Sequence, residues 1–89
     1  MAMLTVSGAM RPYLPGDTLE LQGSTVGALL DELERRFPLV RKHLRSDHGA
    51  LRPTFRVFVN GDDIRGLDGL ESPLHPKDRV DVVPAIQGG

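Results

Sequence analysis

Apolar residues recur along this chain with two different periods, and each change of period marks a new element. Leu4-Thr5-Val6-Ser7 and Thr18-Leu19-Glu20-Leu21 alternate apolar and polar positions, which predicts two short strands. The stretch Arg11-Pro12-Tyr13-Leu14-Pro15-Gly16-Asp17 between them predicts the loop of an opening hairpin. From Val26 the period lengthens. Val26, Leu29, Leu30, Leu33 and Phe37 fall on one helical stripe and Asp31, Glu32, Glu34, Arg35 and Arg36 on the other, with Thr25 placed as N-cap. Pro38 lacks an amide donor and disfavours helical geometry at Phe37, so the helix ends or kinks there. Leu39 to Arg45 predicts a short second helical segment.

Ser46-Asp47-His48-Gly49 reads as a loop, after which Phe55-Arg56-Val57-Phe58-Val59 restores the alternation and runs into Asn60-Gly61, a tight-turn pair. Asp63-Ile64-Arg65 is expected to pair back as a short strand, Leu67-Asp68-Gly69-Leu70 to form a turn-rich connection, and Arg79 to Val83 to be the last strand. This order predicts an α+β fold of the β-grasp type: a mixed four- to five-stranded sheet with one main helix packed across its apolar face. Residues 1–84 are expected to form the domain and residues 85–89 a flexible tail ending in Gly88-Gly89.

Side chains alternate faces along a strand, so the prediction extends to surfaces. If Val57, Val59, Val80 and Val82 face the helix, then Phe58 and Val83 point outward, with Arg56 and Asp81 as a polar rim on the same face. The competing reading packs Phe58 under a loop.

Composition narrows the chemistry. At 89 residues the chain forms one small domain, too thin to enclose a large active site. Eleven basic against twelve acidic side chains are scattered along the chain, and no basic stripe points to nucleic acid. Cysteine is absent, so any sulfur chemistry would use sulfur from outside. Met1 to Val6 has no charged segment leading into a long apolar run, and no stretch approaches the roughly 20 apolar residues of a membrane span. The expectation is a soluble, cytoplasmic protein, monomeric alone, with neither nucleic acid nor membrane as partner.

His43, His48 and His75 form no zinc pattern, and Asp62-Asp63 lacks the alternating oxygen ligands of a calcium loop. The histidines are expected on the surface, and Asp62-Asp63 in a solvated turn. No serine lies in a nucleophile elbow and no glycines form a phosphate loop. The expectation is no catalytic residue of its own, no metal and no bound cofactor. What remains is the ending. Two glycines make a strip thin enough to enter a narrow channel and be approached closely by another protein's reactive groups, although on its own a Gly-Gly end is also what an unused terminus looks like.

The segment Thr25-Val26-Gly27-Ala28-Leu29-Leu30, the run Val57-Phe58-Val59-Asn60-Gly61-Asp62-Asp63-Ile64-Arg65 and the ending Asp81-Val82-Val83-Pro84-Ala85-Ile86-Gln87-Gly88-Gly89 resemble the MoaD/ThiS family of ubiquitin-like sulfur carriers, over nearly the whole chain. Leu4-Thr5-Val6-Ser7, Leu67-Asp68-Gly69-Leu70 and Val83-Pro84-Ala85 are most similar to the carriers that serve cysteine biosynthesis in actinobacteria.

The resemblance implies that an E1-like adenylyltransferase activates the Gly89 carboxylate with ATP, and that sulfur from a donor displaces AMP to leave a C-terminal thiocarboxylate. Gly88, Gln87 and Ile86 would enter the partner with Gly89. Phe58, Val83, Arg56 and Asp81, placed by parity alone, would contact the activating enzyme. A downstream sulfur-accepting synthase would take the sulfur, for cysteine, thiamin, molybdopterin or a specialised metabolite such as a thiosugar. Two other readings stay open: a ubiquitin-like modifier joined through Gly89 to lysine amines, and a non-covalent β-grasp interaction domain.

Overall fold

The computed structural model describes residues 1–8 and 10–85. Five strands form one mixed sheet: β1 (Ala2–Val6), β2 (Thr18–Leu21), β3 (Phe55–Val59), β4 (Asp62–Asp63) and β5 (Arg79–Pro84), in the order β2-β1-β5-β3-β4. β1 and β5 are parallel neighbours at the centre, and every other pair is antiparallel. The helix α1 (Val26–Arg36) lies across one face. This is the β-grasp the alternation predicted.

Each element has a local cause. The Thr25 hydroxyl accepts a hydrogen bond from the Ala28 N–H at 3.1 Å and starts α1, whose apolar stripe of Val26, Leu29, Leu30 and Leu33 is wholly buried. Leu4 and Val6 of β1, Val57 of β3 and Val80 and Val82 of β5 meet that stripe from the sheet. Such burial contributes roughly 1.5–3 kcal/mol per large apolar side chain, which is what pins the helix to one face. At the β3–β4 turn Asn60 and Gly61 both adopt positive φ, 50° and 91°, the geometry whose twist matches the strands it joins.

Several details depart from the sequence expectations. β1 begins at Ala2, because Ala2 is buried opposite Leu21 and continues the alternation despite its small side chain. The segment after Pro38 splits into a 3-10 turn (Pro38–Val40) and a short helix, α2 (Arg41–Leu44), which together bury Val40 and Leu44. β4 is only two residues long. The Asp63 carboxylate accepts from the Arg65 N–H at 2.9 Å, which turns the chain into a 3-10 helix (Ile64–Gly66) instead of continuing the predicted strand. A further 3-10 turn (Gly69–Glu71) follows in the predicted connection.

β5 runs through Pro84, one residue beyond the predicted strand end. The reason is register. Asn60 N–H donates to the Arg79 carbonyl and Ala85 N–H to the Thr54 carbonyl, so even-numbered residues of β3 exchange hydrogen bonds with β5. Pro84 faces Phe55, a pair that exchanges none, and its missing donor costs the β3–β5 ladder nothing.

Candidate functional site

The sheet has an outer face that α1 does not cover. In the β3–β5 register Phe58 lies opposite Asp81 and Arg56 opposite Val83, so the four residues named from parity form one quadrilateral, with each apolar side chain diagonal to the other. Their inward neighbours Val57, Val59, Val80 and Val82 are buried. Phe58, Val83 and Asp81 are half-buried and Arg56 is exposed. Phe58 therefore stands outside the core beneath α1.

Charges around the quadrilateral are partly tied. Arg79 Nε approaches Asp81 Oδ2 at 3.7 Å along β5. Asp63, opposite Phe58 on β4, receives the Arg65 guanidinium at 2.8 Å together with the Arg65 N–H. Those hydrogen bonds hold its carboxyl below the usual value, with the Arg56 charge adding in the same direction. Met3 of β1 adds a further exposed apolar side chain to this face. Leu39 and Leu67, 61% and 47% exposed, are apolar groups that parity could not reach because they lie in turns.

The end of β5 is held from two sides. Ala85 N–H donates to the Thr54 carbonyl at 2.8 Å, closing the ladder one residue past the strand. On the other side Gly8, with φ +90°, packs so closely beneath the proline ring that a Cβ there would stand 2.6 Å from Pro84 Cγ. Only glycine satisfies both the backbone angle and the contact. The chain thus leaves the sheet in a direction fixed through Ala85. Ile86, Gln87, Gly88 and Gly89, named above as the inserted tail and reacting terminus, lie outside the described residues.

Beside this exit is a cleft of about 450 Å³ lined by Lys42, His43, Arg52, Thr54, Phe55 and Pro84. His43 corrects the expectation of a plain surface imidazole. Its ring stacks on Tyr13 with centroids 5.0 Å apart, and its Nε2 is buried without a hydrogen-bond partner. Periodicity could not find this, because Tyr13 belongs to the 3-10 turn (Arg11–Tyr13) inside the predicted hairpin loop. His48 and His75 are exposed. Among the described residues no three His, Asp or Glu side chains converge as metal ligands.

Away from the exit, Arg45 ties the α2 segment to α1. Its guanidinium reaches Asp31 at 3.1 Å, Glu34 at 3.0 Å and the Gly27 carbonyl at 3.3 Å. Burial pushes the Glu34 carboxyl up, against the opposing pull of the Arg45 and Arg41 charges. The Arg45 tie belongs to the packing of the helices, and none of its members borders the cleft at the exit.

The ThiS family model matches residues 5–89. The chain is 28% identical over 89 residues to the sulfur carrier protein CysO of Mycobacterium tuberculosis, covering 97% of this chain and 96% of that one. It is 35% identical over 66 residues to small archaeal modifier protein 3 of Haloferax volcanii, covering 74% and 71% respectively. Among solved structures, a chain of the Amycolatopsis orientalis BexX/CysO complex superposes with a TM-score of 0.88 at 27% identity, covering 100% of both chains.

Proposed function

The chain belongs to the ThiS family, and from that premise we propose that it is a sulfur carrier whose C-terminal Gly89 is adenylated by an E1-like enzyme and converted to a thiocarboxylate. The observation that carries the reading is the full-length likeness to CysO, combined with a last strand whose end is held at Ala85 and a sequence that closes on Gly88-Gly89.

The chemistry follows from the poor reactivity of a carboxylate. Its negative charge repels nucleophiles, so a Gly89 oxygen first attacks the α-phosphorus of ATP on the partner enzyme, and pyrophosphate leaves. A sulfur nucleophile then attacks the acyl carbon and AMP departs. The terminal sulfur is what a downstream synthase would accept. This chain supplies reach and recognition and acts as a protein co-substrate. It contributes no catalytic residue, and ATP is bound by the partner. The likeness to CysO favours a cysteine-forming acceptor. A thiamin, molybdopterin or specialised-metabolite pathway would need only a different partner surface.

Gly88, Gln87 and Ile86 would occupy the partner's channel. From Pro84 the five following residues reach at most about 17 Å at ~3.4 Å each. Phe58 and Val83 would dock on the activating enzyme, with Arg56 and Asp81 at the rim. The likeness to an archaeal modifier protein favours one alternative, in which a lysine amine replaces sulfur as the nucleophile on the same adenylate.

Intact mass spectrometry after incubation with ATP, an E1-like adenylyltransferase and sulfide tests the proposal. One oxygen exchanged for sulfur is expected on the full chain. Deleting Gly89, or appending one residue after it, is expected to abolish the exchange while leaving the melting temperature unchanged. Sulfur loading by the trimmed chain would overturn the carrier reading. An isopeptide adduct in place of the exchange would select the modifier.

A further inference from the structure

Most arginines of this chain are neutralised within it. Glu32 holds Arg35 and Arg36, Asp31 and Glu34 hold Arg45, Asp63 holds Arg65, and Asp81 lies beside Arg79. Arg11, Arg41, Lys42, Arg52, Arg56 and Lys77 stand outside these pairs, and Lys42, Arg52 and Arg56 are the three of them that gather at one place. Among the described residues none of the three has a carboxylate within ion-pair distance. All three are near the root of the tail. Lys42 and Arg52 line the cleft against Pro84, and Arg56 faces Val83, the residue before Pro84.

The side chains come from separate elements, so sequence spacing does not explain the grouping. Arg52 is held in place by its own bond, Nε donating to the Lys42 carbonyl at 2.6 Å, which brings the two cationic residues together at the cleft. No carboxylate lines the cleft. The chain as a whole carries a formal charge of −1, so this cationic group stands on a chain that is otherwise net acidic.

We propose that Lys42, Arg52 and Arg56 form a cationic collar that docks on an acidic protein rim around the mouth of the channel receiving the tail. The inference rests on the carrier reading. A local group of like charges beside the tail favours encounters in which the tail leads, and rim charges act mainly on encounter and its salt dependence. The chemical step belongs to the tail and the partner, so the collar acts on capture and not on turnover.

The experiment is a steady-state loading assay with the same adenylyltransferase, ATP and sulfide, varying the carrier and the salt concentration. Lys42→Glu/Arg56→Glu is expected to raise the KM for the carrier about ten-fold or more, with kcat within about two-fold, and to flatten the rise of KM with salt. Lys42→Glu alone, at an exposed side chain, is expected to give a smaller shift of the same kind and guards against misfolding of the double variant. Unchanged KM and salt slope in both variants, with normal loading, would overturn the collar alone. Absence of loading by the unaltered chain would overturn the carrier reading and the collar with it. Loss of heparin retention with unchanged KM would assign the cations to a non-protein polyanion and overturn the proposal.

Discussion

β3 and β5 present two faces built from the same pair of strands, and the faces obey different rules. On the inner face Val57, Val80 and Val82 are at most 1% exposed and uniformly aliphatic. On the outer face apolar and charged residues alternate corner by corner, Phe58 with Asp81 and Arg56 with Val83. Burial explains the first, since any polar group under α1 would lose its water without a partner. It does not explain the second. A face selected only for solubility needs no aromatic ring, and one selected only for stability needs no Arg56 or Asp81 beside it. Apolar side chains set among charged ones on a face that α1 leaves uncovered suit the docking role proposed for them.

The same substitution on the two faces separates these rules most sharply. Val82→Asp places a carboxylate in the core without a partner, costing several kcal/mol, a large fraction of the roughly 5–15 kcal/mol that holds a small domain together. Denaturant unfolding is expected to show no cooperative native baseline at neutral pH. A Val82→Asp protein that melts within a few degrees of the original would mean that the inner face is not the core.

What made this contrast legible in the sequence was the period-two alternation of Phe55 to Val59 and Arg79 to Val83, together with the length and cap of α1. Alternation assigns faces wherever a strand is regular. It fails where side-chain chemistry overrides pairing, as at Asp63, whose carboxylate captures the Arg65 amide and ends β4. It is also blind to residues buried from irregular segments. Met10 and Leu14 flank the Arg11–Tyr13 turn, Leu74 precedes β5, and all three are buried without any period to mark them. The cleft beside Pro84 joins Lys42, Arg52 and Thr54 from α2, a loop and the approach to β3, a tertiary juxtaposition that no local pattern encodes.

Phe58→Asp is the counterpart on the outer face. It removes an aromatic ring that α1 does not cover and sets the introduced carboxylate between Asp81 on β5 and Asp63 on β4, two like-charge pairs that cost up to about 1 kcal/mol each. Unfolding is expected to stay cooperative, with the melting temperature lower by roughly 10 °C. In the loading assay the KM for the carrier is expected to rise about ten-fold, the effect of losing roughly 1.4 kcal/mol of interface contact. Collapse of folding would place Phe58 in the core, and an unchanged KM would remove it from the interface.

The smallest effect, and the one that resolves the comparison at single groups, is a difference in the sign of pH dependence. Asp63, beside Phe58 on the outer face, has its pKa lowered by the Arg65 hydrogen bonds. The unfolded chain then takes up its proton first, so this carboxylate contributes stability above its ordinary 3.8 that is lost as pH falls through the lower folded value. Glu34, pressed between α1 and the α2 segment, has its pKa raised by burial. There the folded chain holds the proton longer, so stability declines as pH rises from the ordinary 4.5 through the raised folded value. Urea midpoints measured across this range are expected to show a smaller acid-side fall in Asp63→Asn and a smaller decline above 4.5 in Glu34→Gln. Differences from the unaltered chain that slope the same way in both variants would show that solvent screening, not the surroundings of each carboxylate, sets how these groups titrate. Opposite slopes would carry the distinction between a carboxylate packed between helices and one on the open sheet face down to one proton on each.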